Sequence, residues 1–324
     1  MLTPVNLDEL GSALAGFHQR GEKLPSLELL AFNQIIEHIP EDMTVTVESG
    51  MTLAALQSAL AERGQWLPVD PPHPERLTIE SLLSLDQNGP RRCGYGTVRD
   101  YLIGLKVVLA DGRLIKAGGK VVKNVAGYDL CKLFVGARGT LGVIVEATFK
   151  LRPLPEAEEF VQARCEGLRP AIILIEAVLE SELVPAVLDL HNIAVRDFPT
   201  ISAKANRTGN VRVAVGFAGT REDVEWQVVH ARDLGLSEPS SLDYETVFWE
   251  EGATPDLHRV SLLPSRLSDT VDRLGGVPFV ARAGSGILYY RGGPELSKPR
   301  NPTVLAGRLK DAFDPKHILP DLPA

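Results

Sequence analysis

The stretch from residue 117 to residue 151 constrains the fold more than any other part of the sequence, because glycine, polar and apolar residues follow one another there in a tight order. Leu130, Leu133 and Phe134 recur at the spacing of one helix face. Gly136 follows where a left-handed C-terminal cap is expected. The stretch therefore predicts a loop, a helix, a glycine loop and a strand.

Gly139 and Gly142 stand directly before the predicted strand. Over residues 143–151 the odd-numbered residues are apolar and the even-numbered ones are mostly polar, which predicts a half-buried strand with one residue set on each face. A glycine loop exposes backbone N–H groups, so a flat or phosphorylated ligand can lie against the main chain. The alternative is that these glycines only turn the chain.

Composition indicates a globular chain with an acidic surface. The 324 residues are 44% hydrophobic, which suits one large domain or two ordinary ones. A formal net charge of −8 argues against a nucleic-acid partner, because nucleic acids select basic surfaces.

The three cysteines, Cys93, Cys131 and Cys165, form no CxxC pair, so we expect neither a disulfide framework nor a metal site. No basic segment precedes an apolar one near residue 1, and no apolar run approaches the ~18 residues of a membrane span. We therefore expect a cytoplasmic protein without a membrane span.

Local patterns place several elements. Residues 6–19 predict a helix, and Thr52 is expected to cap a second helix. Residues 105–116 predict a hairpin, because Asp111 and Gly112 supply the positive φ angles of a type I′ turn.

A domain boundary is expected at Pro153 and Pro155, where composition shifts toward glutamate. Beyond it strands alternate with helices, among them residues 211–217 and a helix over residues 221–233 capped by Thr220. The fold class is therefore α+β, with one domain over residues 1–154 and a second over residues 155–324.

Several well-known motifs are missing from the sequence. Gly284, Ser285 and Gly286 lack the third glycine of a nicotinamide-binding GxGxxG, so a Rossmann-type dehydrogenase is the least favoured alternative. The sequence also contains no phosphate-binding P-loop, no GxSxG nucleophile elbow and no zinc-binding HExxH helix. No metal site and no catalytic residue is predicted.

The segment GGKVVKNVAGYDLCKLFVGARGTLGVIVEATFKLRPLP resembles the second half of the FAD-binding (PCMH-type) domain of the vanillyl-alcohol oxidase superfamily, and most closely the E subunit of bacterial glycolate oxidase. GPRRCGYGTVRDYLIGLKVVLADG and LKDAFDPKHILP resemble the same family. The resemblance implies an FAD-binding domain of two subdomains, followed by an α+β, ferredoxin-like cap whose C-terminal segment returns to the first domain.

The resemblance also implies which residues contact FAD. The backbone of Gly142, Val143 and Ile144 is expected at the adenine end, and residues 89–100 along the dinucleotide. The full set of cofactor-binding residues implied in this way is Thr78, Ser81, Gly89, Tyr95, Gly96, Asp100, Lys123, Asn124, Gly139, Gly142, Val143 and Ile144.

Some residues near the expected phosphates would favour pyrophosphate binding, and others would oppose it. Arg91, Arg92 and Arg99 are candidates to neutralise a pyrophosphate, although each could equally form an ion pair within the protein. Relatives carry a glycine-rich phosphate loop of the kind RGGGT, whereas only two residues separate Lys23 from Ser26 here. Relatives also have Gly-Gly where this chain has Glu80 and Ser81.

By resemblance, the chain is an FAD-dependent oxidoreductase subunit of the glycolate oxidase type, acting on a 2-hydroxy acid such as glycolate or D-lactate. The implied partners are a larger flavin subunit and an iron–sulfur subunit. The histidine-rich substrate site of the larger subunit has no counterpart here. The alternative is a non-catalytic scaffold that has lost FAD binding together with its first phosphate loop.

Overall fold

The computed structural model describes residues 1–119, 130–193, 210–250, 256–296 and 303–322. The chain divides into two compact units. The first comprises residues 1–88, 97–154 and 299–324, and the second comprises residues 89–96 and 155–298. Within the described residues, no helix has both the length and the apolar character needed to cross a membrane.

The helices of the described chain are α1 Leu7–Arg20, α2 Leu53–Ala61, α3 Ile79–Ser84, α4 Arg92–Tyr95, α5 Val98–Tyr101, α6 Cys131–Phe134, α7 Leu168–Glu180, α8 Arg221–Asp233, α9 Asp243–Glu250, α10 Leu267–Asp272 and α11 Val304–Phe313. The strands are β1 Ile35–Ile39, β2 Thr44–Glu48, β3 Gln65–Trp66, β4 Leu102–Val108, β5 Leu114–Gly118, β6 Val143–Lys150, β7 Arg152–Pro153, β8 Ala157–Glu166, β9 Val187–His191, β10 Asn210–Gly219, β11 Glu238–Pro239, β12 Leu257–Ser261, β13 Phe279–Arg282 and β14 Ile287–Arg291.

The first unit is built on a five-stranded sheet in the order β1-β2-β6-β4-β5. All of its pairings are antiparallel. One face packs against α2, α3 and α6 in the larger hydrophobic cluster of this unit, and the other packs against α1. The strand predicted over residues 143–151 is therefore the central strand of the sheet.

The central strand is buried on both faces, so its predicted half-burial is wrong. Lys106 of β4 pairs with Glu146, whereas the next residue, Val107, pairs with Ile144, which leaves Val145 as an extra residue in a β-bulge. A bulge shifts the alternation of side chains by one position. Val143 and Val145 consequently pack toward α1, while Ile144 joins residues 147, 149 and 151 on the opposite face.

The predicted hairpin is confirmed as β4 and β5, but its turn is not of type I′. Of the two turn residues only Gly112 has a positive φ, +85°. The Gly112 N–H donates to the Leu109 carbonyl, and the Leu109 N–H donates to the Arg113 carbonyl. This is a three-residue loop in which a left-handed glycine closes a turn.

The predicted helix caps are confirmed. The side chain of Thr52 accepts a hydrogen bond from the N–H of Ala55, and that of Thr220 accepts one from the N–H of Asp223. Asn6 caps α1 in the same way through the N–H of Glu9. Each cap satisfies a backbone donor that the helix itself leaves unpaired.

The second unit contains the expected ferredoxin-like arrangement. Its elements run β8-α7-β9-β10-α8-β11, and these four strands lie in the order β11-β8-β10-β9. β13, β14 and β12 extend the sheet to seven strands. α7 and α8 cover one face of the sheet within a single hydrophobic cluster. α9 packs on the opposite face.

The turn at Gly112 gives a first prediction. A Cβ atom at Gly112 would collide with the backbone oxygen of Gly11 in α1, and the positive φ adds strain. We expect Gly112→Ala to lower the free energy of unfolding by about 3 kcal/mol. Gly64→Ala is the matched control, since Gly64 has φ +65° but open space around its Cβ position.

Urea denaturation of both variants checks this prediction. Strain alone predicts a loss of about 1 kcal/mol for Gly64→Ala. Equal losses in the two variants would show that the close approach of the hairpin to α1 contributes nothing.

Candidate functional site

The first unit contains a cleft of about 640 Å³ beside the glycine turn that precedes β6. This volume lies in the range typical of cofactor sites. The cleft is lined by Leu24, Pro25, Ser26, Leu27, Glu28, Leu29, Leu30, Gly50, Thr78, Glu80, Ser81, Ser84, Leu85, Arg138, Gly139, Gly142, Val143, Leu319 and Pro320. Apolar side chains form most of this lining, which suits the flat faces of an aromatic ring system.

The start of α3 supplies one polar wall of the cleft. Thr78 caps this helix by accepting a hydrogen bond of 3.2 Å from the N–H of Ser81. Its hydroxyl donates to the hydroxyl of Ser81 at 3.1 Å. The capping arrangement therefore fixes both predicted side chains at the edge of the cleft.

The glycine turn supplies the second wall. Gly139 has φ +71°, and the nearest atom to its Cβ position is 3.9 Å away in Pro320, so this side of the turn is open. Gly142 is different, because a Cβ there would lie 2.6 Å from Cγ1 of Val107 in β4. Packing against the sheet therefore requires glycine at position 142, independently of any ligand.

Five of the twelve predicted cofactor residues meet in the cleft, namely Thr78, Ser81, Gly139, Gly142 and Val143. Ile144 is 2% exposed and packs in the hydrophobic core. Asp100 lies in the first unit, where it accepts hydrogen bonds from the N–H and hydroxyl of Thr97. Gly89, Tyr95 and Gly96 belong to the second unit. Lys123 and Asn124 lie outside the described residues.

The charged groups of the cleft are unfavourable for phosphate. Its described lining contains the carboxylates of Glu28 and Glu80 and a single cationic side chain, Arg138. Burial raises the pKa of Glu80, although hydrogen bonds with Ser84 and Ser81 oppose that shift. Arg91, a candidate for neutralising pyrophosphate, instead binds both carboxylate oxygens of Glu158 at 2.7 and 2.5 Å.

Sequence reasoning missed the segment of residues 24–30, which lines the cleft. This segment is held by main-chain contacts: Leu2 donates to the Ser26 carbonyl at 2.8 Å, and Glu28 donates to the Leu2 carbonyl at 3.0 Å. Gly50 permits the approach, because a Cβ there would collide with the carbonyl of Leu29. The leucine-rich composition of residues 24–30 was the only local indication of a buried wall.

The second unit contains a buried network of charged groups that the sequence did not reveal. Arg282 in β13 donates to Asp189 in β9 at 2.5 Å, and its two terminal nitrogens bind the carboxylate of Glu245 at 2.7 and 2.6 Å. The Tyr244 hydroxyl donates to Asp189 at 2.8 Å, and its ring stacks on His191 at 4.1 Å. Both terminal nitrogens of Arg282 are thus paired with internal carboxylates. Its buried Nε has no hydrogen-bond partner within the described residues, and the same is true of Oδ1 of Asp189 and Nε2 of His191.

Burial controls protonation in this network. Burial raises the pKa of Asp189 to about 7, since it outweighs the attraction of Arg282. It lowers the pKa of His191 to about 3, assisted by the charge of Arg212. Because Nδ1 of the neutral His191 ring accepts from the N–H of Ile193, its proton lies on Nε2. Burial likewise raises the pKa of the Cys93 thiol to about 11, which keeps it protonated and unreactive.

Neither site identifies a catalytic base. Within the described ranges no group of three histidine, cysteine, aspartate or glutamate side chains is arranged to hold a metal ion. The cleft offers binding surfaces and backbone groups, and the network of the second unit is an internal ion cluster.

The pKa of Asp189 gives a second prediction. Between pH 3.8 and about 7, Asp189 keeps its proton in the native state and has lost it in the unfolded chain. The free energy of unfolding therefore falls as pH rises across that window. We expect Asp189→Asn to remove a slope of up to about 1.4 kcal/mol per pH unit. Asp233→Asn, at an exposed position at the end of α8, is the control.

Chemical denaturation of the wild type and both variants at a series of pH values measures these slopes. Parallel curves for the wild type and Asp189→Asn would show that Asp189 is ionised in the native state throughout the window.

Comparison with solved structures supports the fold. Two structures of alkyldihydroxyacetonephosphate synthase, in different crystal forms, align with 98% of this chain at TM-scores of 0.71 and 0.73. They share 17% and 16% sequence identity with it, and 74% and 76% of their own chains are covered. Identity this low establishes similarity of fold alone.

Curated relatives are closer in sequence. The chain is 40% identical over 157 residues to glycolate oxidase subunit GlcD of Bacillus subtilis, covering 48% of this chain and 33% of the relative. It is 36% identical over 171 residues to glycolate oxidase subunit GlcE of Escherichia coli, covering 52% and 47%. A probable mitochondrial D-lactate dehydrogenase of Danio rerio is 34% identical over 211 residues, covering 62% and 40%. The chain thus spans a third to about half the length of these relatives.

A family model described as an FAD binding domain matches residues 10–118, a segment that includes Thr78, Ser81 and the segment of residues 24–30. The match covers α1 from Leu10 onward, four of the five strands of the sheet and the cap of α3 that faces the cleft. Over residues 10–118 the chain is therefore similar to the FAD binding domain family.

Proposed function

We propose that this chain is the FAD-binding subunit of a 2-hydroxy acid oxidoreductase of the glycolate oxidase type. The observation that carries the proposal is the cleft of the first unit, where Thr78, Ser81 and the glycine turn meet beside a segment matched by the FAD binding domain family. Similarity to glycolate oxidase subunits and a D-lactate dehydrogenase supports glycolate or D-lactate as the substrate class.

The cleft fits the rings of FAD better than it fits the phosphates. Leu27, Leu85 and Val143 offer apolar surface for a flat ring, while the hydroxyls of Thr78 and Ser81 offer hydrogen bonds at its edge. When bound, FAD supplies the acceptor for the two electrons removed from the substrate. The chain's own residues bind and orient that acceptor and exclude water from its apolar faces.

Pyrophosphate binding would rest on few groups of this cleft. Arg138 at the glycine turn is the one cationic side chain in the described lining. Glu80 opposes an anion unless it is protonated, which its raised pKa favours. The open face of Gly139 leaves room for a phosphate to approach the main chain.

The chemical step and the electron partner belong to the same proposal. No catalytic base is identified among the residues that the structure describes, and Arg282 is paired with internal carboxylates. We therefore propose that the larger flavin subunit contributes the substrate chemistry and that an iron–sulfur subunit accepts the electrons. The reduced cytosol is the compartment in which this assembly is expected.

The charge of the cleft favours one alternative, a scaffold subunit that keeps the fold without its cofactor. Two carboxylates face one arginine there, and the lining segment of residues 24–30 contains no glycine that would form a phosphate loop. A scaffold would retain its partners and bind no flavin, so cofactor affinity separates the two functions.

The FAD affinity of the purified chain is the decisive measurement. We expect saturable quenching of flavin fluorescence, and we expect Ser81→Phe to weaken binding by at least about tenfold because the larger side chain fills the cleft. Ser58→Phe, the same change on the exposed side of α2, should leave affinity unaltered. Absence of binding by the wild type would favour the scaffold.

The charge of Glu80 gives a further expectation. If a phosphate lies nearby, Glu80→Gln removes a repulsion of about 1 kcal/mol and should tighten FAD binding by roughly fivefold at pH 8. Glu62→Gln, exposed at the end of α2, changes net charge equally and should have no effect. Identical affinities for the two variants would place the phosphates away from α3.

The assembly itself is tested by flavin reduction. We expect glycolate or D-lactate to bleach the flavin band only when the chain is combined with its larger flavin and iron–sulfur partners. Bleaching in the isolated chain would show that the substrate chemistry occurs in this chain. A redox role would be contradicted if the flavin-free Ser81→Phe variant formed the assembly normally and the assembly kept full activity.

A further inference from the structure

A buried lysine near the C-terminal end of the first unit is surrounded by oxygen atoms. Lys310 in α11 is 3% exposed. Its ammonium group donates to the carbonyls of Thr140 at 2.9 Å, Pro320 at 2.8 Å and Leu319 at 3.3 Å, and to the carboxylate of Asp314 at 2.7 Å. An ammonium group has three protons, so this cage uses all of its hydrogen-bonding capacity.

Asp314 completes the cage. It is fully buried, and its two carboxylate oxygens accept from the N–H groups of Ile318 at 3.0 Å and Leu319 at 2.9 Å. The carboxylate therefore folds residues 314–319 into a compact turn, in which His317 adopts φ +52°. Lysine and aspartate neutralise each other at a position where either charge alone would be costly.

The cage joins three walls of the cleft. Thr140 lies within the glycine turn, between Gly139 and Gly142. Leu319 and Pro320 line the cleft themselves. The carbonyl of Ile318 accepts from the N–H of Leu24 at 2.7 Å, which holds the first residue of the segment of residues 24–30.

Other contacts keep the same segment against the unit. Lys23 forms an ion pair of 2.5 Å with Asp321. Phe313 of α11 packs edge to face on Phe134 of α6 at 5.7 Å. The exposed Lys23 pair contributes little. The buried cage of Lys310 and the burial of Ile318 and Leu319 in a hydrophobic cluster together hold residues 318–320 in place.

We propose that Lys310 is a positioning residue for the cofactor cleft: it latches residues 314–320 as a wall of the cleft and so sets how tightly FAD is retained. The inference rests on the proposed function, because it takes FAD as the occupant. Binding and latch are then coupled reciprocally, so that an occupied cleft stabilises the latch and a broken latch releases the cofactor.

A latch and a merely structural clamp make different predictions. If Lys310 only stabilised the fold, hydrogen exchange at the amides it helps to hold would be equally fast with the cleft empty and with FAD bound. A latch that forms the wall must open less often once FAD is bound, and this shows at the amides of Ile318 and Leu319 because both donate to Asp314.

The test uses two variants of the full chain. Lys310→Met preserves side-chain length but leaves Asp314 buried without its counter-ion. The double variant Lys310→Met with Asp314→Asn removes both charges, so that it leaves no unpaired buried charge and is expected to fold where the single variant does not. Arg308→Met, at an exposed position of the same helix, is the matched control.

FAD affinity and hydrogen exchange are measured on the same samples, with the unfolding midpoint as a check of the fold. We expect FAD to slow exchange at Ile318 and Leu319 by about tenfold in the wild type and Arg308→Met. The folded variant without the cage should bind FAD about tenfold more weakly and show no such protection.

The outcomes separate the two proposals. A wild-type chain that binds no FAD overturns the proposed function and this inference together. If the wild type binds FAD, two results would each overturn the latch alone. One is a folded cage variant whose FAD affinity is unchanged. The other is a wild type in which FAD does not slow hydrogen exchange at Ile318 and Leu319.

Discussion

The oxygen cage around the Lys310 ammonium group is the contact on which the first unit depends, because it is where three distant parts of the chain meet. A charge survives burial only when every hydrogen bond lost from water is replaced. Here the replacements come from the glycine turn, from Asp314 and from residues 319 and 320. The requirement to satisfy one ammonium group thus helps to fix the relative positions of these main-chain segments, together with the buried Asp314 carboxylate that accepts from the N–H groups of Ile318 and Leu319.

The second unit also buries a cationic side chain, but it surrounds that charge with carboxylates instead of mainly with carbonyls. Arg282 is surrounded by two carboxylates, and burial, with a smaller contribution from Glu245, raises the pKa of Asp189 to about 7. Tyr244 and His191 seal that cluster with a stacked pair of rings. This cluster pairs its charges internally, whereas the cleft of the first unit keeps hydroxyls, open glycine and apolar surface available to a ligand.

Much of the fold was predictable from sequence because it rests on local rules. The hairpin, the helix caps and strands such as β6 and β10 follow from periodicity and from Thr52, Thr220 and Gly112, whereas β1, β8 and β9 were not predicted. The bulge at Val145 was not predictable, since it arises where β4 and β6 adjust to each other rather than from either strand alone. The same holds for the cleft: Thr78, Ser81 and the glycine turn carry local patterns, whereas the contributions of residues 24–30 and of Leu319 exist only after tertiary folding.

The division of the chain has a consequence for its synthesis. Residues 303–322 belong to the first unit, yet they follow the whole second unit in the sequence. A ribosome therefore makes the sheet, the glycine turn and then some 144 residues of another folding unit, residues 155–298, before it delivers Lys310. Until then Thr140 and Leu24 lack their partners, so the cleft is completed only after the second unit has been made, and a nascent chain would pass through an open-walled state that is vulnerable to misfolding.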